Sequence, residues 1–476
     1  MAASDNFKSL SDSAARRDRF SRWRDALGVY LQKRVLIVLF LGFSSGLPLA
    51  LSGSTLLVWM REAGVDLTTI GLFALVGTPY TIKFLWAPLT DALRVPLLSR
   101  WLGRRRGWLV FSQLLLIAAI LLLAMTDPAR APYLVALGAL LVAAASATQD
   151  IVVDAFRVES LPDSEQAAGM ASYVAAYRIG MLASTAGTLF LVTGFEQTGF
   201  IKTSAWMWGY VAMAALVLIG MVTALAATEP ETRANDIGGT NETADKTQDK
   251  MADNALHRVL HAAAGAFSEF LSRRNAIAIL AFVILYKLCD AFAGTMTAPF
   301  VIDLGFTRND YAAIVKGVGL AATLIGGFAG GMLARSVSMG MALWIGGLLQ
   351  AASNLVFAGL AWAGTNYIAL IAAIIAENFT GAIGTVIFVA YLSSLCRNPL
   401  HTATQYALLT AMAAIGRTYL SASAGYVAQL SGWTSFFVFS VLTAIPAFAL
   451  LIWLQRNGGV ERVQADADES SRARKT

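Results

Sequence analysis

The sequence predicts an all-α integral membrane protein, with twelve transmembrane helices in two six-helix bundles and both termini cytoplasmic. Three observations predict it. Of the 476 residues, 57% are hydrophobic and 14% charged, and the mean hydropathy is +0.61; soluble domains carry about 25% charged residues. Apolar runs of roughly twenty residues, enough to cross a bilayer as a helix, recur along the whole chain. The basic residues between those runs alternate from dense to sparse, as they do when successive loops lie on opposite sides of a membrane.

The spans fall at 35–59, 67–89, 107–126, 133–156, 166–192, 206–228, 276–300, 309–333, 340–362, 367–392, 402–427 and 434–455. With both ends in the cytoplasm, the cytoplasmic segments hold 27 Lys and Arg. The opposite segments hold four: Arg61, Arg130, Lys202 and Arg308. That asymmetry supports both the count and the orientation.

Residues 1–34 form a basic cytoplasmic tail with eight Lys and Arg. Phe20, Trp23, Leu27 and Tyr30 recur there at helical spacing, which fits a helix on the membrane surface as well as a solvated tail. No apolar core precedes a cleavage site, so the first span is expected to act as the insertion signal. Residues 35–228 make the first bundle and 276–455 the second. Between them, 229–275 begins as a polar, low-complexity linker (NDIGGTNETADKTQDK). It ends in a surface helix with Leu256, Leu260, Ala263, Phe267 and Phe270 on one face. Residues 456–476 are a second cytoplasmic tail. The net charge of +6 is spread over loops and is not a nucleic-acid footprint. The two cysteines, Cys289 and Cys396, lie in or beside spans and offer neither a disulfide framework nor metal-ligand spacing.

The halves repeat. Gly64-Val65-Asp66-Leu67-Thr68-Thr69-Ile70 after the first span answers Gly305-Phe306-Thr307-Arg308-Asn309-Asp310-Tyr311 after the seventh, and Arg178 in the fifth span answers Arg417 in the eleventh. Two parallel six-span repeats are the architecture of the major facilitator superfamily. The second loop adds to this: Asp91 ends one span, and Gly103-Arg104-Arg105-Arg106 precede the next. The loop resembles a degenerate form of that superfamily's signature. The resemblance implies that the basic cluster holds helix ends together in one conformation; an ordinary positive-inside anchor explains it equally well.

Interior charges carry the functional argument. The basic ones are Lys83, Arg178, Lys287, Lys316 and Arg417; the acidic ones are Asp150, Asp154, Asp290 and Glu377. At ~1.5 Å rise per residue, Arg178, Lys287, Asp290, Glu377 and Arg417 lie near mid-membrane, the depth at which carriers of this class bind substrate. The excess of positive charge favours an anionic or zwitterionic solute. Tyr80, Gln149, Tyr177, Tyr286 and Asn378 join them as candidate substrate ligands, because phenol and amide groups suit a hydroxyl-rich or peptide cargo. Mutual pairing of Lys287 with Asp290, and of Asp154 with Arg157, is the competing reading. Arg178 and Arg417 have no acid on their own spans.

Asp150 and Asp154 stand four residues apart and share a helix face. Two carboxylates one turn apart inside a membrane repel each other. One of them is therefore suited to carry a proton. Enzyme motifs fail on context. Gly42-Phe43-Ser44-Ser45-Gly46 matches G-x-S-x-G but lies within a span, whereas a nucleophile elbow needs a strand and a turn. His257 and His261 lack the Glu of H-E-x-x-H, and there is no P-loop. No cofactor or metal is expected. Gly42 to Gly46, Gly326 to Gly330 and Gly327 to Gly331 predict close helix contacts.

Eight stretches resemble the AmpG-type muropeptide permeases of Gram-negative inner membranes, major facilitator carriers. They are LGFSSGLPLALSGSTL (41–56), TTIGLFALVGTPYTIKFLWAPLTD (68–91), GRRRGW (103–108), SATQDIVVDAFRVESLP (146–162), YRIGML (177–182), LYKLCDAF (285–292), AENFTGAIGT (376–385) and ATQYALLTAMAAIGR (403–417). The match runs from about 35 to 455. The resemblance implies proton-driven import of N-acetylglucosaminyl-1,6-anhydro-N-acetylmuramyl peptides from periplasm to cytoplasm, wall recycling, and a link to β-lactamase induction. It implies a monomer in the bacterial inner membrane whose partners are the muropeptide, protons and lipid. A facilitator for another anionic or zwitterionic solute remains the alternative on residues alone.

Overall fold

The computed structural model describes residues 29–230, 275–395 and 402–457. The tails, most of the linker with its expected surface helix, and Cys396 lie outside the described residues. Those described are helical, with no strand among them.

Eleven helices among them are long and apolar enough to cross a membrane: α1 (Lys33–Glu62), α2 (Leu67–Leu85), α3 (Arg104–Ala124), α4 (Pro132–Ser160), α5 (Gly169–Gln197), α6 (Lys202–Ala226), α7 (Ala276–Asp303), α8 (Arg308–Ala334), α9 (Met339–Ala363), α10 (Tyr367–Leu395) and α12 (Trp433–Arg456). The expected span at 402–427 is not one of those eleven. It is helical in successive pieces, Thr402–Ile415, Gly416–Leu420, Ser421–Ser423 and Ala424–Ser431, together called α11. Helix α4 runs past its expected end to Ser160, so Arg157 is helical and not in a loop.

The repeat seen in the sequence is a repeat of geometry. Gly64 and Gly305 both take positive φ, 83° and 90°, a region that a residue without Cβ enters freely. Each is followed by a side-chain cap that satisfies an orphan N–H at the next helix start. Asp66 accepts from the Thr69 backbone at 2.9 Å, and Thr307 forms a reciprocal capping box with Asp310. Burial pushes the Asp66 carboxyl up, but the hydrogen bonds from Thr69 outweigh it and hold the group below its ordinary value.

Two of the three glycine pairs do what their spacing predicts, and the pair Gly327 and Gly331 does not. A Cβ at Gly42 or Gly46 would run into the backbone of Tyr173 or Tyr177, so α1 and α5 touch backbone to backbone. Gly326 and Gly330 pack in the same way on Phe379 and Ile383 of α10, whereas Gly327 and Gly331 meet nothing. Small residues permit this approach where lipid offers no hydrophobic drive between helices.

The two halves meet through α1 with α7, α2 with α11, α5 with α8, and α2 with α7. Each of these six helices is interrupted. Helix α1 breaks at Ser52–Gly53, where Tyr210 donates to the freed Leu51 carbonyl at 3.0 Å. Helix α2 carries 3-10 turns, α7 breaks at Lys287, and α5, α8 and α11 contain π turns at Ala183–Gly187, Tyr311–Val318 and Gly416–Leu420. Helices α3, α4, α6, α9 and α10 are continuous. Such irregular turns survive at membrane depth only where protein or a polar cavity satisfies the backbone.

Candidate functional site

The interrupted turns hold the charges. Lys83 lies in a 3-10 turn of α2, Lys287 at the break of α7, Lys316 in the π turn of α8 and Arg417 in that of α11. Arg178 precedes the π turn of α5 by one helical turn.

A cavity of about 330 Å³ lies between the halves. Arg178 and Thr185 of α5 and Ser54 of α1 line it from one half. Thr297 of α7, Tyr311, Lys316 and Thr323 of α8, and Glu377 and Asn378 of α10 line it from the other. Lys316 stands 5.4 Å from the centre of the Tyr311 ring. Glu377 feels the charges of Asp290, Lys316 and Lys287, and Asn378 donates to its Oε2 at 3.4 Å. The lining thus offers two cations and one carboxylate with no ion pair of 4.0 Å or less among the described residues. That set matches a solute bearing both signs of charge.

Three of the expected substrate ligands, Arg178, Glu377 and Asn378, line this cavity. Arg417 does not, although it and Arg178 both act on the Tyr177 hydroxyl. Lys287 pairs with Asp290 at 2.7 Å and donates to Thr385 at 3.2 Å, outside the lining. Tyr286 is turned away: it is 4% exposed, its ring stacks on Phe388, and its hydroxyl donates to the Leu343 carbonyl at 2.9 Å. Lys316, Tyr311, Thr297 and Thr323 were not among the expected ligands. Lys316 carried a usable signal, being an interior cation well inside a span whose one acid, Asp310, sits in the first turn.

A second cluster lies within the first half. Asp150 is 8% exposed, and Asp154 is more open and lies 3.8 Å from Arg157. Lys83 acts on both carboxylates, and Tyr80, Tyr173 and Tyr177 surround Asp150. Gln149 is fully buried and donates to Ser45 at 3.2 Å.

One end of the molecule is closed. Arg61 grips Asp303 through two hydrogen bonds, and Trp433 donates to the same carboxylate at 3.1 Å. Arg308 pairs with Glu62 at 2.7 Å and Glu196 at 3.1 Å, with its guanidinium 5.5 Å from the Trp206 ring centre. Thr193 bonds Asn309 and Thr68 bonds Gln429, each at 2.9 Å. Beneath them Gly71 and Gly425 let α2 and α11 meet without side chains between them.

At the other end, the basic loop ties helices of one half. Arg105 bonds Glu159 of α4 at 2.5 and 2.9 Å. Glu229 accepts from the Arg105 and Arg106 backbone at the N-terminus of α3, where a carboxylate is favoured. The Arg106 guanidinium caps the Ala224 and Leu225 carbonyls at the end of α6. Arg104 lies 3.6 Å from Glu159. The Asp91 side chain lies outside the described residues.

Comparison with known proteins decides the family. The model of the Major Facilitator Superfamily matches residues 38–419. The chain is 39% identical to the anhydromuropeptide permease of Escherichia coli K12 over 427 residues, 90% of this chain and 80% of that one. This chain belongs to the AmpG-type permeases of the Major Facilitator Superfamily. A putative transporter of the AmpG group from Rickettsia felis is 33% identical and covers 91% of this chain and 99% of its own. Among solved structures, a bacterial homologue of the human lysosomal transporter Spinster, inward-facing and unoccupied, aligns with a TM-score of 0.66. It has 13% identity and covers 91% of this chain and 98% of that one. The inward-open xylose transporter of E. coli aligns at 0.60, with 12% identity and 87% and 94% coverage. These two likenesses speak for the fold. As an AmpG-type permease the chain is a multi-pass membrane transporter.

Proposed function

We propose that this chain is a proton-driven importer of N-acetylglucosaminyl-1,6-anhydro-N-acetylmuramyl peptides across the bacterial inner membrane, feeding wall recycling and so influencing β-lactamase induction. The observation that carries this reading is the inter-half cavity with Arg178, Lys316 and Glu377, in a chain 39% identical to a permease named for anhydromuropeptides. The stem peptide of such a cargo carries free carboxylates and an amine. Two cations and a carboxylate answer them, and Asn378 with the hydroxyls of Thr297, Thr323 and Tyr311 suits its amides and sugars.

The charge asymmetry supports a periplasmic closed end and cytoplasmic chain ends, and with them a cytoplasm-open state of two six-helix bundles. Import then requires the Arg61–Asp303 and Arg308–Glu62 contacts to part, cargo and proton to enter, and the same contacts to reform. The Asp150/Asp154 pair is the proposed proton carrier. Asp150 lies beside Tyr177, the neighbour of Arg178, so proton occupancy on α4 bears on the helix that holds the cargo cation. Neutralising the pair lowers the cost of moving it past a closing gate. Arg104, Arg105 and Arg106 keep the ends of α3, α4 and α6 moving as one body.

The test is uptake into proteoliposomes of labelled anhydromuropeptide against labelled free sugar, with and without an imposed pH gradient. Accumulation of the muropeptide alone, and only with the gradient, is expected. Equal uptake of the free sugar would overturn the substrate, and accumulation without a gradient would overturn the coupling.

A further inference from the structure

A polar seam crosses the first half behind Asp150. Gln113 of α3 is fully buried, and neither its amide nitrogen nor its amide oxygen has a hydrogen-bond partner among the described residues. Ser44 of α1 stands beside it. A Cβ built on Gly220 of α6 would run into Ser44 Oγ and lie 2.7 Å from Gln113 Nε2, so glycine at 220 keeps their meeting place open. From Ser44 the seam passes to Gln149, whose Nε2 lies 3.4 Å from Ser44 Oγ and 3.2 Å from Ser45 Oγ. Gln149 Oε1, Ser146 Oγ and Asp150 Oδ1, all buried, are also without partners among the described residues.

A buried polar atom without a partner is costly, and here four side chains of α3 and α4 carry such atoms, with Ser44 of α1 between Gln113 and Gln149. Gln113 Nε2 is a donor, and Gln113 Oε1, Gln149 Oε1, Ser146 Oγ and Asp150 Oδ1 are acceptors, with no direct partner among the described residues. Water, with its two to four partners, is the ligand chemistry that such a site takes.

We propose that this seam binds a short file of water from Gln113 to Asp150, and that Gln113 is a positioning residue for the proton step at Asp150. The proposal rests on the reading of Asp150 as a proton-binding group. A hydronium at the end of the file gives its proton to the carboxylate and remains as water; release runs in reverse. Gln113 acts through Ser44 and Gln149. The titratable or charged groups that face Asp150 directly are Tyr80 and Lys83 of α2, Asp154 on its own helix, and Tyr173 and Tyr177 of α5.

The experiment pairs a water-resolving cryo-microscopy map of the full chain with transport of labelled anhydromuropeptide by wild type, Gln113→Leu and Ser44→Ala. Ordered density between Gln113 and Gln149 is expected in the wild type. In both variants gradient-driven accumulation falls about tenfold and its pH midpoint moves by about one unit, the worth of one hydrogen bond to a charged group, while exchange without a gradient persists. A dry wild-type seam, or an unmoved midpoint in both variants, overturns the proposal. A wet seam with undiminished gradient-driven uptake in Asp150→Asn would instead sink the proton reading, and the positioning role with it, so the two failures are told apart.

Discussion

Arg308 and Glu62 are 246 positions apart in sequence, yet they meet at 2.7 Å and join the first helix of one half to the first turn of the eighth. Both side chains are 11% exposed, and Glu196 shares the guanidinium. Arg308→Ala removes the cation shared by Glu62 and Glu196 and leaves Lys202, 3.7 Å from Glu62, as the remaining partner there. Charge-assisted hydrogen bonds contribute about 1.5–3 kcal/mol each, so the closed population should fall at least tenfold relative to the open one. Distances between spin labels on the periplasmic ends of α1 and α7 measure this directly. An unchanged distance distribution would show that Arg61–Asp303 and the α2–α11 contact suffice without it.

Arg178 faces the cavity with no ion pair among the described residues, so its guanidinium is available to cargo. A guanidinium holds a carboxylate by two parallel bonds that lysine does not reproduce. Arg178→Lys should weaken muropeptide binding about ten- to thirty-fold, or ~1.4–2 kcal/mol, and Lys316→Ala should weaken it by a similar factor. Both proteins should still reach the membrane. Unaltered affinity in either variant removes that residue from the cargo site.

Lys287 and Asp290 pair at 2.7 Å away from the cavity lining. If they only neutralise each other, either single change strands a charge and costs ~3–5 kcal/mol of stability, whereas the apolar double replacement is tolerated. Thermal melting and uptake of Lys287→Met, Asp290→Leu and the double variant separate these outcomes. A stable double variant without transport would bring Lys287 back to the site.

Asp150→Asn and Asp154→Asn keep shape and polarity but hold no exchangeable carboxyl proton. At least one of them should abolish accumulation driven by a pH gradient and retain exchange of bound for free muropeptide. Accumulation in proportion to the gradient in both would move the coupler to Glu377 or Asp290.

Much of this was legible before the fold. Charges in apolar spans announce themselves, so Arg178 and Glu377 stand out at once, as does the amide of Asn378 beside them, and the Gly64 and Gly305 turns stand out by their repeat. Other features were hidden for physical reasons. The ion pairs of Arg61, Arg308 and Lys202 were not legible, because partners more than a hundred residues away leave no periodic trace. Lys316 was visible as a charge, but a π turn sets its direction, and no spacing rule for a regular helix predicts that. Tyr286 looked polar enough for cargo until its hydroxyl found the Leu343 carbonyl.

The division of the helices into interrupted and continuous ones has a mechanical consequence. The six helices that pack closely across the halves each contain a turn out of α register, and five of the others run unbroken. Bending stiffness is therefore distributed unevenly: each bundle has rigid posts and compliant staves, and the staves touch across the middle. Each stave can flex at a turn whose backbone bonds are already rearranged, so rocking need not melt regular helix. The charged side chains at those turns ride on the moving parts, which makes a change in their occupancy and a change in curvature the same event.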